Sequence, residues 1–227
     1  MTVWLASLAL LAAAYLLGAT PTGYWAGRLV KGVDIRELGS KSTGATNALR
    51  TLGVGPGLIV LTVDILKGVA AVLLARALYH GLSGLPTVTP TALQTWTPWG
   101  ICLAGLAVLL GHARSIWLGF TGGKSAATGL GVLLAISWPV GLGAAAVFIV
   151  VVAAFRIVSL GSMLAAVTAI ALVCGLEHPL AYRLLVIAGG VYVIARHRAN
   201  IQRLLAGTEP RLGGDSALNV RQHSRGS

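Results

Sequence analysis

Acidic residues are the scarcest feature of this chain. Six Asp or Glu occur among 227 residues, against 17 Lys or Arg, and charged residues of both signs make up 10% of the sequence. A soluble domain carries about 25%. So little charge excludes an ordinary water-soluble globule, and so few acids argue against two-metal phosphotransfer, which wants several convergent carboxylates. Cysteine is nearly absent as well. Cys102 and Cys174 both fall inside apolar runs, with no CxxC or Cys/His spacing. They are expected to be packing residues, with neither a disulfide nor a metal. The chain has no G-x-S-x-G, no H-E-x-x-H and no G-x-x-x-x-G-K-[ST], which removes the common hydrolase, zinc-protease and P-loop signatures.

What is abundant is apolar: 56% of the residues are hydrophobic. They come in blocks at roughly 3–19, 54–79, 98–111, 126–137, 140–155, 158–175 and 182–196. A membrane helix needs about 20 residues at about 1.5 Å each. Read as one helix, 126–155 would be about 45 Å long, too long for a core of about 30 Å. Ser137-Trp138-Pro139 offers a break, because proline cannot donate to the helix ladder and disfavours helix just before it.

Charge supports that division. Arg28, Lys31, Arg36, Lys41 and Arg50 lie between the first two blocks, which places that connection in the cytoplasm. The connection 80–97 holds no Lys, Arg, Asp or Glu. With two helices in 126–155, Arg114, Lys124, Arg156, Arg196, Arg198, Arg203 and Arg211 all return to the cytoplasmic side. The expectation is an all-α polytopic membrane protein with seven transmembrane helices, N-terminus outside and C-terminus inside. The net charge of +11 then serves orientation, not nucleic-acid binding. No basic residue precedes the first apolar block, so that block reads as a retained helix and not a cleaved signal. Residues 1–213 form a single domain, and the polar tail 214–227 is expected to be disordered.

Four polar stretches share the cytoplasmic face. Residues 36–50, RELGSKSTGATNALR, combine Gly39 and Gly44 with Ser40, Ser42, Thr43, Thr46, Asn47 and Arg50. Glycines let backbone N–H groups turn toward an anion, hydroxyls and Asn add donors, and Arg offers a fork for phosphate. A helix starting near Thr46 would aim its positive end at such a ligand. Residues 111–128, GHARSIWLGFTGGKSAAT, place His112 after an apolar run and Gly122-Gly123-Lys124 before a helix. Lysine there can meet phosphate as a point charge. The third stretch is the short turn around Arg156 and Ser159. The fourth, 196–211, crowds Arg196, His197, Arg198 and Asn200 at the end of the last helix. Inside the 54–79 block, Asp64 and Lys67 lie three apart on one helical face, and a pair that fixes helix packing is the favoured reading. Together these loops suit phosphorylated ligands. A transporter is the chief alternative, but the polar groups cluster on one face and no inverted repeat is apparent.

At GSKSTGATNALRTLG, GHARSIWLGFTGGKSAAT and RHRANIQRLLAGTEPRLG the chain resembles the PlsY family, the acyl-phosphate:glycerol-3-phosphate acyltransferases of bacteria. The order and spacing of the motifs match up to about Gly213. The H-x-x-x-x-D pair of the common glycerolipid acyltransferases is missing, since Leu85, Trp117, Arg183 and Gln202 stand five residues after His80, His112, His178 and His197. The resemblance implies transfer of a fatty acyl group from acyl phosphate to the 1-hydroxyl of sn-glycerol 3-phosphate. It gives lysophosphatidate and phosphate in phospholipid biosynthesis at the bacterial plasma membrane, with no cofactor and no metal. Functional coupling to the enzyme that forms acyl phosphate is expected with it. Carried over by position, Lys124, Arg50, His197 and Asn200 take catalytic roles, with proton removal falling to His197 or to a substrate phosphate. Gly39, Ser40, Gly44, Thr46, Asn47, His112, Gly122, Gly123 and Ser159 take substrate-binding roles. The chain departs from the family pattern at Ser42, commonly Asn; at Ser125, commonly Gly; and at Ala113-Arg114-Ser115-Ile116-Trp117, where a hydrophobic-Pro stretch is usual.

Overall fold

The computed structural model of the chain describes residues 2–86 and 88–213; the tail expected to be disordered lies outside them. Among the described residues there are ten helices and no strand. In order they are α1 (Thr2–Ala19), α2 (Thr22–Lys31), α3 (Ala45–Leu52), α4 (Val54–Leu82) and α5 (Pro90–Ala113), then α6 (Ala126–Ile136), α7 (Trp138–Phe155), α8 (Val158–Gly175), α9 (Leu180–Arg196) and α10 (Arg198–Leu205). Every one of the seven apolar blocks is helical. The three short helices α2, α3 and α10 are amphipathic additions at one end of the bundle.

Five stretches are long and apolar enough to cross a bilayer: Val3–Lys31, α4, α5, α7 and α8. A sixth appears if α9 and α10, bent by 56° at His197, count as one. The seventh block, α6, has 11 residues, or about 16 Å, roughly half the hydrocarbon thickness. Its end falls where Ser137-Trp138-Pro139 predicts it. Ser137 is extended and α7 begins at Trp138 with Pro139 in its first turn. The chain then doubles back. A Cβ on Gly141 would lie 2.8 Å from the Leu134 Cα, whereas residues seven apart in a straight helix are about 10 Å apart. At the other face, α5 starts eight residues earlier than its apolar block. The Thr89 hydroxyl caps it by accepting from Ala92 N at 3.2 Å, and Pro90 fits the first turn.

Helix contacts form a ring. α5 touches α1, α4 and α9, and successive contacts α4–α6, α6–α7, α7–α8 and α8–α9 close around a cavity. Small residues set the closest crossings. Gly68 of α4 faces the Thr128 carbonyl of α6 while Gly131 of α6 faces the Ile65 carbonyl of α4, each so near that a Cβ would overlap it. In hydrocarbon, such backbone approach replaces the hydrophobic drive that lipid cannot supply. The core runs through Leu10, Val72, Tyr79, Ile101, Val108, Val140 and Leu185. Cys102 packs there as expected, whereas Cys174 lies exposed on the outer face of α8.

Candidate active site

The cavity enclosed by the ring measures about 200 Å³. Its polar mouth gathers residues from five separate places. Ser40, Gly44, Thr46, Asn47 and Arg50 come from the first loop and α3; His112 ends α5; Lys124 precedes α6; Ser159 opens α8; His197 and Asn200 flank the α9–α10 bend. Ten of the thirteen residues singled out in the sequence therefore line one cavity. The other three sit behind it. Gly39, at φ +54°, leaves room for Asn47 Oδ1, which would lie 2.4 Å from a Cβ at that position. Gly122 and Gly123 lie against His112, one over its carbonyl and one over its ring.

Local chemistry explains how the first loop holds its shape. Asn47 is buried. Its Oδ1 accepts from Ser40 N at 2.9 Å, and its Nδ2 faces the carbonyls of Ile35, Leu38 and Ser42 at 2.9, 3.1 and 2.8 Å. The amide is thus occupied in bracing residues 35–42, and Ser40, Ser42, Thr46 and Arg50 line the cavity beside it. Gly44 caps α3, placing the start of that helix within two residues of Thr46 as anticipated. Ser42, where the chain departs from the family pattern, accepts through Oγ from Gly44 N at 3.3 Å and also lines the cavity.

The second loop turns on Ser125. It is left-handed at φ +62° and wholly buried, which accounts for glycine being usual there. Its hydroxyl donates to the Leu109 carbonyl at 2.8 Å and so compensates part of the strain. Arg196 Nη2 donates to the Gly123 carbonyl at 3.1 Å, tying this loop to the end of α9.

A chain of hydrogen bonds joins the catalytic candidates. Lys124 Nζ donates to Asn200 Oδ1 at 2.5 Å, and Asn200 Nδ2 donates to Glu209 Oε1 at 2.6 Å. Ser159 Oγ donates to the same Oε1 at 2.7 Å, and Arg203 Nε donates to Oε2 at 2.7 Å. The orientation of the Asn200 amide follows, because an ammonium only donates and a carboxylate only accepts. Arg50 Nη2 donates to the Pro210 carbonyl at 3.1 Å. His197 faces the Val193 carbonyl through Nδ1 at 2.7 Å; in its neutral form the proton belongs on Nδ1 and Nε2 is left as an acceptor.

Glu209 is the residue that sequence reasoning left out of the site. It lines the cavity and is buried beside three donors. The available signal was its rarity, as one of six acids placed inside a basic segment. Burial pushes its carboxyl up, but the bonds from Ser159, Asn200 and Arg203 outweigh burial and hold it below the usual range. Lys124 moves the other way. Burial lowers it to about 8, against the opposing pull of Glu209, with Arg203, Arg50 and Arg196 adding repulsion. Burial also lowers Arg50, although a guanidinium remains charged. The mouth thus offers two cations and several neutral donors, while the interior is apolar, lined by Leu133, Phe148, Ala165, Ala169 and Val186.

A family model described as glycerol-3-phosphate acyltransferase matches residues 8–207. The chain belongs to that family. It is 70% identical to glycerol-3-phosphate acyltransferase 2 of Rhizobium johnstonii over 216 residues, covering 94% of this chain and 99% of the relative. It is 55% identical to the glycerol-3-phosphate acyltransferase of Trichormus variabilis, covering 98% and 99%. Two crystal structures of PlsY, an integral membrane glycerol 3-phosphate acyltransferase, share the fold. The glycerol 3-phosphate form has a TM-score of 0.78 at 35% identity, covering 91% of this chain and 96% of the other. The lysophosphatidic acid form has 0.77 at 36%, covering 93% and 98%. The fold class is therefore that of an integral, multi-pass membrane protein, as the apolar blocks indicate.

Proposed function

We propose that this chain transfers a fatty acyl group from acyl phosphate to the 1-hydroxyl of sn-glycerol 3-phosphate, yielding 1-acylglycerol 3-phosphate and inorganic phosphate. The observation that carries the reading is a single cavity with a cationic mouth and an apolar interior, in a chain of the glycerol-3-phosphate acyltransferase family. One substrate is a small dianion; the other is an anionic head on a lipid tail. The PlsY structures in glycerol 3-phosphate and lysophosphatidic acid forms are consistent with an acceptor and a product of this kind.

Acyl phosphate is a mixed anhydride with a good leaving group, so the protein needs little covalent chemistry. It must bring two anions together, aim the hydroxyl at the acyl carbon, and stabilise charge moving onto the leaving phosphate. Lys124 and Arg50 supply the charge, and Asn200 and Glu209 hold the Lys124 ammonium in place. The new ester bond forms as the carbon–oxygen bond to phosphate breaks. The hydroxyl proton leaves to a substrate phosphate or to the bare His197 Nε2. A His197→Ala variant that keeps its kcat at saturating substrate assigns the proton to phosphate. The charge pattern supports a plasma-membrane orientation with the N-terminus outside and the polar mouth in the cytoplasm, where a soluble supplier of acyl phosphate could meet it.

The test is phosphate release by the detergent-purified protein given palmitoyl phosphate and glycerol 3-phosphate, with Lys124→Ala alongside. Phosphate and lysophosphatidate appearing together, only with both substrates and not with the variant, is the expected result. No turnover by folded protein supplied with lipid overturns the reading.

A further inference from the structure

The chemistry above leaves one buried ionic group unused. Lys67 Nζ lies 2.8 Å from Asp64 Oδ1, 3.0 Å from the Thr20 carbonyl, 3.3 Å from the Gly18 carbonyl and 3.4 Å from His112 Nδ1. All three side chains are buried. The Gly18 carbonyl belongs to the last turn of α1, where a helix lacks partners for its C=O groups; the Thr20 carbonyl follows the helix and also accepts from Thr22 N at 3.0 Å. Ionised groups at this depth are costly and mark a specific task.

The task is legible at His112. An ammonium has hydrogens to give and no lone pair. The nitrogen facing it must therefore be bare, since an Nδ1–H would set hydrogen against hydrogen. Asp64 Oδ1 lies 3.6 Å from Nδ1, too far to hold a proton there by hydrogen bonding. With the Lys67 ammonium as the donor, this arrangement leaves the ring's proton for Nε2. That nitrogen lies on the side of the second loop: it is the atom a Cβ on Gly123 would meet first. No protein group among the described residues accepts from it, and His112 and Asp64 both line the main cavity. The backbone locks the same geometry, because Gly123 N donates to the His112 carbonyl at 3.1 Å. His197, across the mouth, holds the opposite tautomer.

We propose that the Asp64–Lys67 pair sets the tautomer of His112, so that Nε2–H donates to a substrate phosphate seated beside Lys124. Asp64 and Lys67 are then positioning residues and His112 is the group that touches substrate. The inference rests on the phosphorylated substrates proposed above. The phosphate is that of the acyl donor or of the glycerol acceptor, and kinetics on each substrate separately tells them apart.

The first arm is spectroscopic. Protein labelled with 15N-histidine is measured in detergent, and the His112 ring signals are assigned by their loss in His112→Gln. The wild type is expected to show a protonated Nε2 and a bare Nδ1, and Lys67→Met a mixture. The second arm is kinetic. In Lys67→Met of wild-type elution profile, only the rings that keep Nε2–H are competent, so KM for one phosphorylated substrate rises by the inverse of that fraction, about 2- to 10-fold, with kcat within about threefold. As single variants, Asp64→Glu keeps a KM nearer wild type than Asp64→Asn, because it keeps a carboxylate for the Lys67 ammonium. His112→Gln, whose amide nitrogen reaches the Nε2 position, keeps a lower KM than His112→Asn, whose amide nitrogen sits at Nδ1.

A wild-type signal with the proton on Nδ1 overturns the proposal. So does a folded Lys67→Met with wild-type KM for both substrates, or an Asn variant that outperforms Gln. Should Lys67→Met not fold, the wild-type ring signals and the Gln–Asn comparison still decide. Wild-type protein without turnover would sink the acyl-transfer reading, while the ring signals would test the network on their own.

Discussion

Gly123→Ala adds one methyl group to the second loop, and the structure fixes where it goes. The new Cβ would sit 2.1 Å from His112 Nε2 and 2.9 Å from both Cδ2 and Cε1, where ordinary contact begins at 3.4 Å. Ring and loop must part by about 1.3 Å, which is 3.4 minus 2.1. The ring is buried with Nδ1 against Lys67, so its retreat from the loop is opposed. The loop therefore moves, and Lys124 moves with it. A displacement of about 1 Å in a group that aligns reactants costs on the order of 10²-fold in rate. Overpacking should also cost about 1–3 kcal/mol of stability. The assay is initial phosphate release from palmitoyl phosphate and glycerol 3-phosphate, with thermal unfolding in the same detergent. Gly55→Ala is the control: a Cβ there meets nothing within 4 Å, and alanine suits the α4 helix better than glycine. Turnover of Gly123→Ala within threefold of wild type would show that the wedge between His112 and the loop does not hold Lys124.

The lowered Lys124 ammonium gives a pH signature. Because kcat/KM reports the free enzyme, it should hold up to a pH of about 8, where burial has brought this group, then fall as the ammonium loses its proton. Lys124→Arg, always charged, should lose that alkaline limb even if slower, and a flat wild-type profile up to pH 10 would refute the assignment. Asn47→Ala strands four backbone groups of the first loop and should cost about 3 kcal/mol, read as a lower Tm; an unchanged Tm contradicts the bracing role. Ser125→Ala keeps a Cβ in a left-handed backbone and loses the bond to Leu109, so it should be destabilised by about 1–2 kcal/mol, whereas Ser125→Gly should melt near wild type.

Much of this architecture is readable in the chain itself, for physical reasons that differ by element. Hydropathy marks all seven apolar helices because lipid tolerates few polar side chains, and Pro139 marks the α6–α7 break because proline cannot continue a ladder. The length of α6 is readable for the same reason, since the block 126–137 ends at that break; how so short a helix sits in the bilayer is not, because its neighbours decide it. The early start of α5 is hidden because its first turn is polar; only the Thr89-Pro90 cap signals it. Motif chemistry brings ten residues to one cavity, but a motif does not tell which members face the ligand. Asn47, carried over as a substrate-binding residue, also braces the first loop, and Gly122 and Gly123 also leave clearance for His112. Glu209 and the link from Lys67 to His112 depend on contacts between residues far apart in sequence, which no local pattern encodes.

The bond from Arg50 to Pro210 spans 160 residues, and Glu209 completes the support of Lys124 through Asn200. During synthesis, α3 and the first loop emerge long before the segment that finishes their surroundings. A nascent chain halted after α9 could be threaded into the bilayer with its loops exposed, yet the Lys124 ammonium would lack its anchored amide and Arg50 its carbonyl. Both supports thus come from the part of the chain made last, residues 200–210 at the mouth. Partially inserted chains would lack both supports, and if the proposed acyl transfer holds they would form no product until the last helix is in place.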